Sequence, residues 1–167
     1  MRRDIILDTS TLILSAKISF LELITEHLEI TIPVAVESEA IVKKELLDAK
    51  LIHRLIQENR IHVVQEKQTR FTEEIQKDFS LGIGEAQALG LAKDKRSLLG
   101  IDDQQGIKVC KVFGIAFTTT LALLVRFYEK GLLKKEQLES KIEKLREYGW
   151  YREDLLVKVL KEIKGRS

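Results

Sequence analysis

The chain has 167 residues, 44% hydrophobic and 32% charged, with 9 Gly and 1 Pro, a composition that suits one folded domain and excludes a disordered one. A net charge of +2 is too small to imply nucleic-acid binding by itself, and a single cysteine excludes an internal disulfide or a cysteine-cluster zinc site. No signal-peptide pattern or membrane-length apolar run occurs, so a cytoplasmic protein with no membrane contact is expected.

Residues 3–8 read as a first strand. Ile5-Ile6-Leu7 is a continuous apolar run suited to a central parallel strand, and Asp8 stands at its carboxyl end. Thr9 or Ser10 can cap a helix starting near Thr11, and a second helical piece covers 18–27. Residues 28–32 are strand-like and stop at Pro33. From Ala35 a helical pattern continues to about Gln57; its apolar set is too broad for one stripe, leaving room for a kink or break near Asp48. Residues 61–64 give a third strand. Phe71, Ile75 and Phe79 recur every four residues on a helix, and Gly84-Glu85 open the next. Residues 97–101 form a strand followed at once by Asp102-Asp103. A helix over 104–112, a fifth strand over 114–117 and a helix over 119–129, ended by Gly131, complete this part.

Residues 131–167 differ. Leu133, Leu138, Ile142 and Leu145 run along one highly charged helix, and Leu155, Leu156, Val159, Leu160 and Ile163 along another, with Gly149-Trp150-Tyr151 between them. The chain thus divides into a 1–130 α/β domain and a 131–167 helical extension, packed on that domain or on a second subunit. Residues 126–167 carry a net +4 and the preceding part a net −2, which permits phosphate contact without demanding it. Short apolar strands alternating with helices predict a mostly parallel sheet covered on both faces. The carboxyl ends of its strands then share one edge, where ligands of open α/β sheets sit.

Several acids fall at that edge: Asp8 after the first strand, Asp102 and Asp103 after the fourth, Glu85 in a first helical turn, and Glu37 and Glu39 after Pro33. Each alone has a plain reading as a helix cap or a charge favoured by the helix dipole. Gathered without a basic partner, they would repel and raise one another's proton affinity, and a hard divalent ion would turn repulsion into coordination. Magnesium or manganese with an oxygen donor set points to phosphodiester hydrolysis, in which the ion activates water and no histidine base is needed. His27, His53 and His62 fall outside the acidic positions and suit surface or packing roles. Cys110 suits a small buried residue.

Four ordered segments carry a family resemblance: Ile-Leu-Asp8-Thr-Ser-Thr, Ile-Pro33-Val-Ala-Val-Glu-Ser-Glu39, Gly84-Glu85-Ala-Gln-Ala, and Leu-Gly-Ile-Asp102-Asp103. Over residues 3–125 the chain resembles PIN-domain proteins, in particular the prokaryotic branch with a Gly-Glu helix before a double-Asp strand end. The resemblance implies a three-layer α/β/α sandwich with a five-stranded, mostly parallel sheet. It also implies a magnesium- or manganese-dependent endoribonuclease, often the toxin of a toxin–antitoxin pair, acting on single-stranded or structured RNA. By carry-over Asp8, Glu39, Glu85 and Asp102 would be the catalytic metal ligands and Asp103 an additional ligand. Ser10 would orient Asp8, and Thr118 or Thr119 would supply a hydroxyl. An antitoxin protein and a twin subunit would be the partners. Two departures weigh toward the alternative, a catalytically weak RNA-binding or regulatory relative: Ile107 stands where the branch commonly carries arginine, and Phe117-Thr118-Thr119-Thr120 replaces its Gly-Thr. A receiver domain lacks its lysine here, an Asp-x-Asp phosphatase lacks its second Asp because Ser10 is there, and no Gly-rich phosphate loop is present.

Overall fold

The computed structural model describes residues 2–166. Five strands, β1 (Arg3–Leu7), β2 (Leu28–Pro33), β3 (Ile61–Val64), β4 (Leu98–Gly100) and β5 (Phe117–Thr118), form one parallel sheet in the order β3-β2-β1-β4-β5. The central β1 pairs Ile5 with both Ile30 and Leu98. With neighbours on both edges and helices on both faces, Ile5, Ile6 and Leu7 are buried, as a continuous apolar run requires.

The sheet grows outward from β1 in both directions. Right-handed crossovers therefore put the first helices on one face and the later ones on the other. One layer centres on α1 (Thr9–Lys17), packed with α2 (Leu21–His27) and α4 (Leu47–Gln57). The opposite layer centres on α6 (Ile83–Lys95), with α5 (Arg70–Phe79) and α7 (Gln104–Phe113) against it. The short α3 (Val34–Ala40) touches both α1 and α6. The result is a three-layer α/β/α sandwich with α8 (Thr120–Glu129), α9 (Lys135–Tyr148) and α10 (Glu153–Gly165) completing the α1 side.

Several boundaries differ from the sequence reading: α2 starts at Leu21 rather than at residue 18, Leu133 precedes α9, and two differences are larger. The long helix over 35–57 is two helices, α3 and α4, separated by residues 41–46. Val36 and Ala40 bury toward α6 and α1, whereas Ile52 and Leu55 bury toward α1 and β3 from another direction. One straight helix cannot aim both sets, and the break precedes Asp48. The fifth strand is also shorter and later than 114–117. Gly114 sits at φ 66° and ends α7 in the left-handed conformation that glycine adopts without penalty. Only Phe117 and Thr118 pair with Leu99 and Gly100.

Leu138, Ile142 and Leu145 of α9 are buried in the same core as Ile18, Phe20 and Leu124, and Leu156 and Ile163 of α10 join them. Phe20 and Phe127 meet edge to face at 5.1 Å. The Lys141 ammonium donates to the Ser19 carbonyl at 2.8 Å, just past the carboxyl end of α1, where a cation complements the helix dipole. Among the described residues no helix is long and apolar enough to cross a membrane.

Candidate active site

In a sheet whose order reverses at β1, the crevice outside the carboxyl ends of β1 and β4 is the topological switch point. Asp8 and Asp102 both lie there. Asp8 is the N-cap of α1 and fully buried; its Oδ1 accepts from the Thr11 N–H at 3.0 Å and from the Ser10 hydroxyl at 2.7 Å. The Ser10 oxygen in turn accepts the Asp102 N–H at 3.0 Å. Thr11 closes a second link, because its hydroxyl donates to Asp102 Oδ2 at 2.6 Å. Two adjacent residues of α1 thus hold both acids in one fixed relation, although 94 positions separate them in the chain.

Asp102 collects further donors. The Thr120 hydroxyl reaches Oδ2 at 2.6 Å and the Thr120 N–H reaches Oδ1 at 3.1 Å. The Tyr151 hydroxyl donates to Oδ1 and accepts the Leu121 N–H at 3.2 Å, so it bridges the acid to the start of α8. The next residue, Asp103, caps α7 by accepting from the Gly106 N–H at 2.9 Å.

Glu39 and Glu85 come from the facing side. Glu85 sits in the first turn of α6 and accepts the Gly82 N–H at 3.0 Å, so its capping role and its place at the site coexist. Glu39 Oε1 accepts the Gly84 N–H at 3.0 Å and its Oε2 accepts from the Thr9 hydroxyl. That approach needs glycine: a Cβ on Gly84 would lie 2.4 Å from the Glu39 carboxylate. A cavity of about 480 Å³ is lined by Glu39, Glu85, Asp102 and Asp103 together with Thr9 and Ser10.

The electrostatics follow from this gathering. Burial pushes the Asp8 carboxyl up to about 8, with the charges of Asp102 and Glu85 adding to it and the Thr11 and Ser10 hydrogen bonds opposing it. Glu85 is raised by burial and then by Asp103 and Glu39. Cys110, buried near Asp8, is pushed up to about 11 and is an inert thiol. His27 packs edge-on to Phe127, while His53 and His62 are exposed, and none lines the cavity.

Among the described residues no group of three or more His, Cys, Asp or Glu side chains forms a ready-made metal cluster. Each carboxylate is instead held by donors of the chain. The all-oxygen donor set still fits a hard cation, because magnesium keeps much of its water and needs only one or two carboxylates. Asp8 is raised in part by Asp102 and Glu85, and Glu85 in part by Asp103 and Glu39, and this is the repulsion such a cation would offset.

Of the residues expected from sequence, Asp8, Ser10, Glu39, Glu85, Asp102 and Asp103 come together at this edge. Glu37 does not line the cavity. Thr119 lines it as the N-cap of α8, whereas Thr118 turns its hydroxyl toward the Thr119 carbonyl at 3.4 Å. The threonine that meets Asp102 is Thr120. Sequence reasoning missed Thr11, Thr120 and Tyr151. Thr11 had a signal, since a hydroxyl three residues after an N-cap Asp faces the same end of the helix. Tyr151 had only its place after a helix break.

A family profile described as PIN domain matches residues 4–165. The crystal structure of PAE2754 from Pyrobaculum aerophilum is similar in fold, with a TM-score of 0.57 and 17% identity, covering 77% of this chain and 99% of that one. No curated protein matches the chain.

Proposed function

The chain belongs to the PIN-domain family, whose members generally act as metal-dependent nucleases, and from that premise we propose that it is a magnesium- or manganese-dependent endoribonuclease. The observation that carries the proposal is the pairing of Asp8 and Asp102 through Ser10 and Thr11 at the switch point, with Glu39 and Glu85 across the same cavity. If a divalent cation were held by these carboxylates, it would lower the pKa of a bound water and offset charge on a phosphodiester. The chain's own part is to supply oxygen donors from Asp8, Glu39, Glu85 and Asp102, with Asp103 beside them, and to keep them from moving. Ser10 and Thr11 fix Asp8 against Asp102, Gly84 leaves room for Glu39, and Thr119 walls the cavity. Thr118 contributes backbone to β5 rather than a hydroxyl to the acids.

The same reading attaches a toxin-type role in the cytoplasm, an antitoxin partner and an RNA substrate to this chain. A homodimer would have to use exposed residues such as Val42 and Leu47, since the α9 stripe is buried within the chain. The second reading, RNA binding with little or no catalysis, draws on Ile107, which lines the cavity as an apolar wall where a basic phosphate contact would otherwise sit.

The two readings separate in a cleavage assay on labelled single-stranded RNA and DNA pools. Wild type should cut RNA with magnesium or manganese, stop when the metal is chelated and recover on its return. Binding of RNA without cutting across both metals would favour the second reading. Gly84→Ala adds a local test. The new methyl displaces the far end of a flexible side chain, so the melting temperature should hardly change. Losing the Glu39 position should lower the cleavage rate by about 10- to 100-fold. An unchanged rate would remove Glu39 from the mechanism.

A further inference from the structure

Trp150 is the only tryptophan and is 94% exposed. It stands in the bend between α9 and α10, on the rim of the cavity that Glu39, Glu85 and Asp102 line. Tyr148 lines the same rim, and the Lys17 ammonium lies 5.8 Å from the centre of its ring. The neighbour Tyr151 is fastened to Asp102, so the bend is held against the acids rather than left to swing. A flat apolar face, an adjacent cation and a carboxylate floor thus share one opening. Trp150 exposes its ring beside a second aromatic and a cation at the mouth of the acidic cavity, a combination that offers a face for a stacked ligand.

We propose that Trp150, with Tyr148 beside it, is a stacking platform for an unpaired nucleobase of the nucleic acid whose phosphate enters the acidic cavity. Lys17 faces the backbone of that strand. The inference rests on the nuclease reading for its substrate class and specifies it as single-stranded. A base in a duplex has both faces covered by its neighbours, whereas an unpaired base offers a face to an aromatic ring. A protein partner could cover the indole equally well, but it would make no use of the carboxylates that share the opening.

Because Trp150 is the sole indole, its fluorescence reports this contact directly. The test uses the full-length Asp8→Asn protein in magnesium, so that RNA is bound without being consumed. The probes are ten-nucleotide single-stranded RNAs, the same length of duplex, and an abasic strand of equal charge. The single strands should quench the emission, while the duplex and the abasic strand should not. Trp150→Ala should weaken single-strand binding, measured by anisotropy of a labelled RNA, by about tenfold or more, and Trp150→Phe by less. Equal quenching by the abasic strand, or unchanged RNA affinity in Trp150→Ala, would overturn the platform. So would an emission change that follows protein concentration alone, which would assign the indole to a second copy of the chain. Cleavage by wild type, assayed separately, decides the nuclease reading whichever way the indole behaves. RNA cut at an unchanged rate and KM by Trp150→Ala would remove the platform and leave the enzyme standing.

Discussion

Asp8→Asn should abolish metal-dependent cleavage, by at least about 10³-fold, and at the same time make the metal-free protein more stable at pH 8. The loss follows from removing a carboxylate oxygen that a bound cation would hold in its charged form. The gain follows from the burial of Asp8, whose carboxyl is pushed from its ordinary 3.8 up to about 8. Between those values the folded chain keeps a proton that the unfolded chain has released. Stability from this group is therefore full below about pH 4 and is lost as pH rises through about 8. Asparagine cannot ionise, yet its oxygen can still accept from Thr11 and Ser10, so the cap on α1 survives. The shift sets an upper bound of about 6 kcal/mol on the difference at high pH. A melting temperature higher by about 5 °C or more is expected at pH 8 in chelator, with little difference near pH 4. Added magnesium should close the gap by stabilising wild type alone. Calorimetry at the two pH values checks this, and a variant less stable than wild type at pH 8 would mean that Asp8 is charged and satisfied without a cation.

The second large effect concerns α9. Ile142 is fully buried among residues of the same chain, so Ile142→Ala should cost about 2–5 kcal/mol and lower the melting temperature by about 5–15 °C. Leu155, on the exposed side of α10, should change stability by less than about 0.5 kcal/mol when cut to alanine. Urea unfolding of the two variants makes the comparison. Losses of equal size would mean that the α9 stripe does not find its partners inside this chain. Because Tyr148 closes α9 and Tyr151 follows it, amide exchange across the bend should also quicken in Ile142→Ala.

Much of the fold was readable because its rules are local. The apolar triplet Ile5-Ile6-Leu7, the stop at Pro33 and the four-residue spacing of Phe71, Ile75 and Phe79 each specify an element without reference to the rest of the chain. The positions of Asp8 and Asp102 were readable for a related reason: in a parallel sheet, a carboxylate just after a strand has only one edge to occupy, whereas Glu39 and Glu85 sit on helices and reach that edge through α3 and α6. The split between α3 and α4 was harder, because it depends on which neighbour each apolar face meets. Thr120 and Thr118 could not be told apart without the point at which β5 ends, and that is set by the left-handed turn at Gly114. Tyr151 reaches Asp102 from 49 positions away. No periodicity encodes such a contact; it exists because the α9 core residues fix where the bend falls.

The order of the sheet has a temporal corollary. Asp8 opens the chain, but its partner Asp102 follows the strand β4, and Thr120 and Tyr151 come later still. During translation the emerging polypeptide therefore carries the first acid long before anything exists to set it against. A site built this way would stay incomplete until the segment that carries Tyr151 has been made.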